Sequence, residues 1–207
     1  LGKELGIYMI HDLVGRGLPM WMPNGFTVRR LLSDYIMNKE LALGYEHVMT
    51  PSLGNVKLYK TSGHWDHYKD DMFPAMKMDD EAYVLRPMNC PHHMVMYKQS
   101  LHSYRDLPVR IAEIANDFRF EASGALTGLE RARAFTQNDS HIFCRPDQVK
   151  EEFTRVMDII SIVFKSMNFQ NFEAQISLRD QVNRDKYIGS DENWDKAEQA
   201  IIEACAE

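Results

Sequence analysis

The sequence predicts an α+β fold, and three observations lead to that prediction. Apolar residues make up 44% of the 207 residues and charged residues 26%, a balance typical of folded globular proteins. Two long segments, starting near Val28 and Val149, repeat apolar residues at the spacing of one helix face. Short runs such as 45–50 and 109–115 have the apolar character of strands. Helices and strands mixed in this way indicate an α+β domain.

The helices are predicted from their periodicity and their end signals. The first lies between Thr27, a plausible N-cap, and Gly44, a C-terminal stop. Its apolar face comprises Val28, Leu31, Leu32, Tyr35 and Ile36. Further helices are expected over 92–98 after Pro91, from 149 to 167 after Pro146, and over 193–206.

The strands are predicted over 45–50, 82–85, 109–115, 118–122, 131–135 and 172–178. Pro51 ends the first of these, because proline cannot donate a ladder hydrogen bond. The segment 172–178 alternates apolar and polar residues, as a half-buried strand does. The glycines of 123–128 suit a loop between two antiparallel strands.

Composition also limits the functional classes. The net charge of −6 argues mildly against a broad nucleic-acid surface, because phosphate binding depends mainly on Lys and Arg. Three widely spaced cysteines form neither a disulfide framework nor a zinc ribbon, and a reducing cytoplasm fits them best. Neither export nor membrane anchoring is expected. The sequence has no internal repeat and no linker, so residues 1–207 are interpreted as one domain. Because the sequence stops at Glu207, within or at the edge of the last predicted helix, that stop is interpreted as a cut.

The segment 118–121 contains the first chemically informative pattern. Alternation on a strand places Arg119 and Glu121 on one face, and Arg131 and Arg133 share a face after the glycine loop. Several guanidiniums presented together suit a polyphosphate. A solvated ion pair between Arg119 and Glu121 is the alternative.

Two other clusters contain thiol and imidazole groups. Cys90 and His141 carry groups that zinc binds, yet a small buried Cys90 and a hydrogen-bonded His141 at a strand end explain them equally. In 61–68, His64 could act as a general base near neutral pH. The alternative is a loop packed by Trp65 and Tyr68, with its histidines merely exposed.

Five strings together resemble the class II aminoacyl-tRNA synthetases, and within them the threonyl-tRNA synthetase family. They are TSGHWDHYKDDMF (61–73), RPMNCPHHM (86–94), SYRDLPVRIAE (103–113), FRFEASGALTGLERARAFTQNDSHIF (118–143) and GSDENWDKAE (189–198). The likeness covers the whole chain. It implies a mixed, mainly antiparallel sheet flanked by helices, as the N-terminal part of that catalytic domain.

The resemblance also implies an assignment of the family's motifs. Residues of about 28–51 are similar to motif 1, which forms a homodimer interface, and residues of about 118–135 to motif 2. Motif 3 and the editing and anticodon-binding domains have no match in this sequence.

Site roles follow from the same resemblance. It implies that Arg119, Glu121 and Arg131 bind ATP, and that His64 moves a tRNA ribose proton. Threonine would be bound by Met88, Cys90, Arg119, Gln137, Asp139 and His141. Cys90 and His141 match two of three zinc ligands, and the third has no match here.

The implied activity is ATP- and Mg²⁺-dependent activation of threonine to threonyl-adenylate, followed by transfer to tRNA(Thr). Because motif 3 and one zinc ligand have no match, the isolated chain is expected to be inactive. It is also expected to hold no zinc, or to hold zinc only weakly. Two alternatives stay open: a truncated, non-catalytic paralogue acting as a binding or regulatory module, and an unrelated ATP-binding α+β domain.

Overall fold

A computed structural model describes residues 1–180, 182–183, 187 and 189–206. The chain forms two compact units. Unit 1 comprises Leu1–Leu101 and Ile111–His141, and unit 2 comprises His102–Arg110 and the residues from Ile142 onward. The single domain expected over residues 1–207 stays a prediction, because two compact units can belong to one domain or fold independently.

Unit 1 contains three small sheets and four helices among the residues that the structure describes. Its strands are β1 (Tyr8–Met9), β2 (Met20–Trp21), β3 (Glu46–His47), β4 (Leu53–Asn55), β5 (Met76–Met78), β6 (Glu81–Leu85), β7 (Val109–Phe118) and β8 (Ala134–Phe143). Its helices are α1 (Pro23–Ala42), α2 (Val56–Thr61), α3 (His64–Tyr68) and α4 (Cys90–Lys98). The outer ends of β7 and β8 each extend two residues beyond the unit.

The sheet that supports the site has the order β3-β7-β8. β3 runs parallel to β7, with Glu46 opposite Ile111. The amide of Arg119, directly after β7, donates to the carbonyl of Arg133, and Thr136 donates to the Asn116 side chain, so β7 and β8 run in opposite directions. β4, β6 and β5 form a second, antiparallel sheet. This mixed, mainly antiparallel arrangement with flanking helices confirms the predicted α+β fold.

Helix α1 begins five residues earlier than the sequence predicts. Pro23 occupies its first turn, where the missing N–H costs no hydrogen bond, and Met22 is the N-cap. The predicted cap Thr27 therefore lies inside the helix, and its hydroxyl donates to the Pro23 carbonyl at 2.9 Å. Gly44 follows the helix with φ +82°, as expected of a helix-terminating glycine.

The predicted apolar face of α1 is not a core face. Val28, Leu31 and Leu32 are 47%, 56% and 44% exposed. The apolar core of unit 1 lies instead between α2 and β6, where Tyr59 and Val84 are fully buried. The periodicity therefore predicts the helix correctly, but its apolar stripe is open in the chain as described.

The hairpin over 118–135, which the resemblance assigns to motif 2, differs from the prediction in the boundaries of its strands. Strands were expected over 118–122 and 131–135, whereas β7 ends at Phe118 and β8 begins at Ala134. The chain leaves the ladder because the amide of Phe120 donates to the Asp71 carbonyl at 2.8 Å, in a short 3₁₀ turn. A second 3₁₀ turn and an isolated bridge between Thr127 and Arg131 close the loop.

Unit 2 contains two long helices that pack on each other, α5 (Val149–Ser166) and α6 (Asp191–Ala206). The strand predicted over 172–178 is wrong, because that segment has no regular structure. It is held by side chains: Phe172 packs on Phe164, and Arg179 lies among three carboxylates of α6. Among the described residues, no helix combines the length and apolar character needed to cross a membrane.

Candidate functional site

A cavity of about 410 Å³ opens beside the motif 2 hairpin. Arg119, Glu121 and Arg131, the three residues predicted to bind ATP, all line it, together with Phe135 and Thr136 of β8. The structure therefore brings together residues that are up to 12 positions apart in the sequence. A concave site with several convergent charged groups is suited to a small polar ligand.

Arg119 is held against the wall of this cavity. Its guanidinium carbon lies 5.0 Å from the centre of the Phe135 ring, within the range of a cation–π contact. Its Nε points to the Pro87 carbonyl at 3.5 Å. The flat guanidinium is therefore oriented before any ligand binds.

Glu121 pairs with Arg131 rather than with Arg119. Nε of Arg131 donates to Oε2 of Glu121 at 2.9 Å. The Arg131 side chain is 60% exposed, whereas that of Glu121 is 16% exposed. The described structure therefore does not contain the solvated Arg119–Glu121 pair considered as the alternative, and the more exposed partner of the pair that forms is Arg131.

The other candidate residues lie along β8 and at the start of α4. Side chains two positions apart on a strand share a face, so Gln137, Asp139 and His141 continue the face on which Phe135 lines the cavity. Gln137 is exposed, while Asp139 and His141 are partly buried. Cys90 is the first residue of α4, and the half-buried Met88 lies two residues before it.

Cys90, Asp139 and His141 influence one another electrostatically. Burial raises the pKa of the Cys90 thiol, and the negative charge of Asp139 raises it further. Burial lowers the pKa of His141, although Asp139, with Oδ2 3.9 Å from Nδ1, acts in the opposite direction. Asp139 therefore acts electrostatically on both Cys90 and His141, which are themselves partly buried.

His141 is in turn held by a buried histidine that the sequence reading missed. Nδ1 of His93 lies 2.8 Å from Nδ1 of His141, and the two rings meet edge to face. Nε2 of His93 contacts the Asn89 amide at 2.9 Å and Glu113 Oε2 at 3.3 Å. His141 thus lies within β8 as one end of a buried polar chain, rather than at a strand end.

Arg86 and Glu113 form the centre of that buried network. Nη1 of Arg86 donates to Thr50 Oγ1 at 2.6 Å and to Asn89 Oδ1 at 2.9 Å, and Nη2 lies 3.2 Å from Glu113 Oε1. Glu113 also accepts from the amide and the hydroxyl of Thr50. Charges are buried only when they are paired and hydrogen-bonded, as they are here. The missed signal was alternation on β7, which places Glu113 on one face with the buried Ile111 and Ala115.

His64 begins helix α3 and not a loop. Its Nδ1 lies 2.9 Å from Ser62 Oγ, and its ring lies near those of Tyr59 and Tyr68. Burial lowers its pKa, so the imidazole is neutral near pH 7. Trp65 packs against the core of unit 1 and His67 is exposed, as the alternative interpretation expected. Against that interpretation, His64 is partly buried and Tyr68 is 43% exposed.

Comparison with known proteins shows the family of the chain. A sequence model of the tRNA synthetase class II core domain (G, H, P, S and T) matches residues 71–199. The chain belongs to this family. Among its relatives, it is 60% identical over 209 residues to a threonine–tRNA ligase of Phocaeicola vulgatus and 57% identical over 208 residues to that of Staphylococcus carnosus. Both matches cover the whole chain but 32% of the relative, so the chain spans about a third of their length.

Solved class II synthetase structures show the same fold. A structure described as the RNA binding domain of threonyl-tRNA synthetase from Cryptosporidium parvum matches 99% of this chain and 50% of its own, with a TM-score of 0.86 and 33% identity. A prolyl-tRNA synthetase of Giardia lamblia, at 19% identity and a TM-score of 0.72, shares the fold alone over 80% of this chain. The resemblance to threonyl-tRNA synthetases predicted from the sequence is confirmed.

The resemblance also implies a zinc ion, and the residues present form only part of a site for it. A thiolate and an imidazole are suitable zinc donors, and Cys90 and His141 both lie near Asp139. However, the described residues contain no group of three His, Cys, Asp or Glu side chains arranged to hold a metal. A catalytic zinc normally has three protein ligands, and Cys90 and His141 supply only two.

Proposed function

We propose that this chain carries the amino-acid-activating site of a threonine–tRNA ligase. The main support is the cavity that brings Arg119, Glu121 and Arg131 together beside the start of β8, the strand that continues to Asp139 and His141. Nucleotide and amino acid would then bind side by side along β8. Arg119, at the junction, would contact both substrates.

The proposed first step is formation of threonyl-adenylate. A carboxylate oxygen of threonine attacks the α-phosphorus of ATP, the bond to the bridging oxygen breaks, and pyrophosphate leaves. Charge builds up on the phosphate oxygens, and a preoriented guanidinium stabilises that charge without reorganising. Arg119, stacked on Phe135, would stabilise the α-phosphate, Arg131 the γ-phosphate, and Glu121 would accept from adenine. Bound Mg²⁺ would neutralise the phosphates.

Recognition of threonine requires rejection of valine, which has nearly the same shape. A site that hydrogen-bonds the substrate hydroxyl can reject an analogue lacking it by roughly 10⁴–10⁵, whereas an apolar pocket cannot. Met88, Gln137 and Asp139 are proposed to line that pocket, with Asp139 accepting from the hydroxyl. In the full-length protein, Cys90 and His141 would supply two of three zinc ligands. Such a zinc would act as a Lewis acid on the threonine amino and hydroxyl groups.

Transfer to tRNA(Thr) is the proposed second step. A ribose hydroxyl attacks the carbonyl carbon of the adenylate and AMP leaves, so a group must accept the hydroxyl proton. His64 suits that role because its lowered pKa keeps its imidazole neutral near pH 7. Its contact with Ser62 holds one ring nitrogen and leaves the other available.

The assembly and compartment are part of the same proposal. The exposed apolar side chains of α1 would be covered by a second copy in a homodimer through motif 1. Three free cysteines suit the reducing cytoplasm, where thiols stay reduced.

The deciding experiment is threonine-dependent ATP–pyrophosphate exchange by the full-length protein that contains this chain. We expect exchange with threonine and much weaker exchange with valine or serine. Exchange that is independent of threonine, or equally fast with valine, would contradict the proposed specificity. No exchange, with ATP binding retained, would favour the truncated, non-catalytic paralogue.

A further inference from the structure

Arg133 is used differently from its neighbour Arg131, although both lie on one face in the sequence pattern. Nε of Arg133 donates to the Glu121 carbonyl at 3.0 Å, and Nη2 donates to Ser123 Oγ at 3.2 Å. Its guanidinium carbon lies 6.0 Å from the centre of the Phe120 ring. The side chain therefore grips the first half of the motif 2 loop, and it is not among the residues that line the 410 Å³ cavity.

The same arginine ties the loop to a distant segment of unit 1. Its backbone amide donates to the Gly17 carbonyl at 2.7 Å, and its Nη1 donates to the Arg16 carbonyl at 3.4 Å. The neighbouring amide of Ala134 also donates to Gly17, at 3.3 Å. The N-terminal segment is thereby attached to the point where the loop returns to β8.

Gly17 can be replaced by no larger residue without a shift of the loop. Its φ of +74° lies in the left-handed region, which L side chains rarely adopt. A Cβ atom at Gly17 would lie 2.8 Å from Cδ2 of Leu126, in the same loop, and 3.1 Å from Cγ of Arg133. Gly17 is itself buried, so an added methyl group would have to displace the Leu126 or the Arg133 side chain.

We infer that Arg133 and Gly17 form a latch that positions Glu121 and Arg131 for the nucleotide without contacting it. This inference rests on the proposed ATP-dependent function. Glu121 is fixed through its own backbone carbonyl, and Arg131 through its ion pair with Glu121. Without the latch, the loop would have to be ordered when the nucleotide binds, and that cost would weaken binding.

Arg133→Lys in the full-length protein tests the side-chain half of the latch. Lysine keeps the charge but cannot reach three acceptors with a planar fork. We expect the KM for ATP in threonine-dependent exchange to rise about 10-fold, with kcat and the KM for threonine changed less than ~2-fold, because the displaced residues face the nucleotide. Arg110→Lys is the matched control, since it breaks a partly buried pair with Glu152 in unit 2.

Gly17→Ala tests the backbone half. We expect the same selective rise in the KM for ATP. Gly124→Ala is its control in the same loop, because a Cβ there meets nothing within 4 Å, and its KM for ATP should equal that of the wild type.

Trypsin cleavage after Arg131 under native conditions reports the loop directly. Arg131 is exposed, so its cleavage should become about 10-fold faster in both latch variants, as expected when local opening becomes easier, and should stay unchanged in both controls. Cleavage at the wild-type rate, or a KM for ATP no higher than in Arg110→Lys, would overturn the inference. If the wild type shows no exchange, the proposed function fails, and the trypsin comparison still decides whether the latch exists.

Discussion

Oδ1 of Asp117 lies 3.3 Å from Nε of the buried Arg86, yet neither oxygen of Asp117 makes a hydrogen bond with the described residues. Arg86 donates instead to Thr50, Asn89 and the Asn116 carbonyl. Asp117 is therefore a buried carboxylate with charge compensation but without direct hydrogen-bond donors. Such a group favours its protonated form.

The first prediction concerns the pH dependence caused by Asp117. Burial, partly offset by Arg86, raises its pKa from 3.8 to about 6. The folded protein thus binds this proton more readily than the unfolded chain, and it gains stability as the pH falls through about 6. Between about pH 7.5 and pH 5, the free energy of unfolding of wild type relative to Asp117→Asn should rise by about 1 kcal/mol. Urea denaturation at both pH values measures it.

Histidines do not obscure that comparison. His64, His92 and His141 have lowered pKa values and titrate in both proteins, so they cancel in the difference. Asp80→Asn, at an exposed position, is the control and should show no such trend. A difference between wild type and Asp117→Asn that is constant with pH would refute the prediction.

Arg119→Lys should lower kcat for threonine-dependent exchange. Lysine cannot stack on Phe135 or present a planar pair of donors to the α-phosphate. Loss of one preoriented donor to a developing charge typically costs about 10²–10³ in kcat. Steady-state exchange measures the change, and Arg105→Lys, at an exposed position, should behave as wild type. Equal kcat values for the two variants would remove Arg119 from the chemistry.

Cys90→Ser in the full-length protein should lose both bound zinc and exchange. A cysteine thiolate is a strong zinc ligand, and the serine hydroxyl that replaces it is not. Metal analysis of the purified protein tests the loss, with Cys205→Ser on the exposed surface of α6 as the control. Zinc content equal to that of the wild type would show that Cys90 is not a ligand.

Leu31→Asp should dissociate the proposed homodimer. The side chain is 56% exposed, so the monomer should lose no more than about 0.5 kcal/mol of stability. A charge buried in an apolar interface is far less favourable. Sedimentation of the full-length protein should show monomers, whereas Met78→Asp, 60% exposed on β5, should remain dimeric. Dimers of Leu31→Asp would exclude this face of α1 from the interface.

The sequence predicts those parts of the fold that depend on local pattern. Helices α4, α5 and α6 begin within two residues of the predicted positions, and α1 is predicted correctly except for its first turn. The strand expected over 172–178 did not form, because alternation describes a strand only when a neighbouring strand pairs with it. Arg179 and its three carboxylates hold that segment instead.

Local pattern likewise predicts one part of the site and not the other. The FRFE pattern predicted that Arg119, Glu121 and Arg131 lie together, because motif 2 is compact in sequence. The chain Arg86–Glu113–His93–His141 joins the residue after β6 to β7, α4 and β8, so local spacing can indicate the burial of Glu113 but not its partners. Buried polar residues acquire their meaning from partners that are distant in sequence.

Phe135 lies in the wall between two cavities. Phe135 lines both the cavity of about 410 Å³ next to Arg119 and an apolar cavity of about 430 Å³ beside α1. Leu129, Ala132 and Thr136 also line both cavities. A bulkier or smaller side chain at position 135 would therefore change two volumes at once, one where a substrate is proposed to bind and one beside the face that a second copy is proposed to cover. The two cavities therefore both constrain the size of the Phe135 ring, so a substitution that suits one of them must also suit the other.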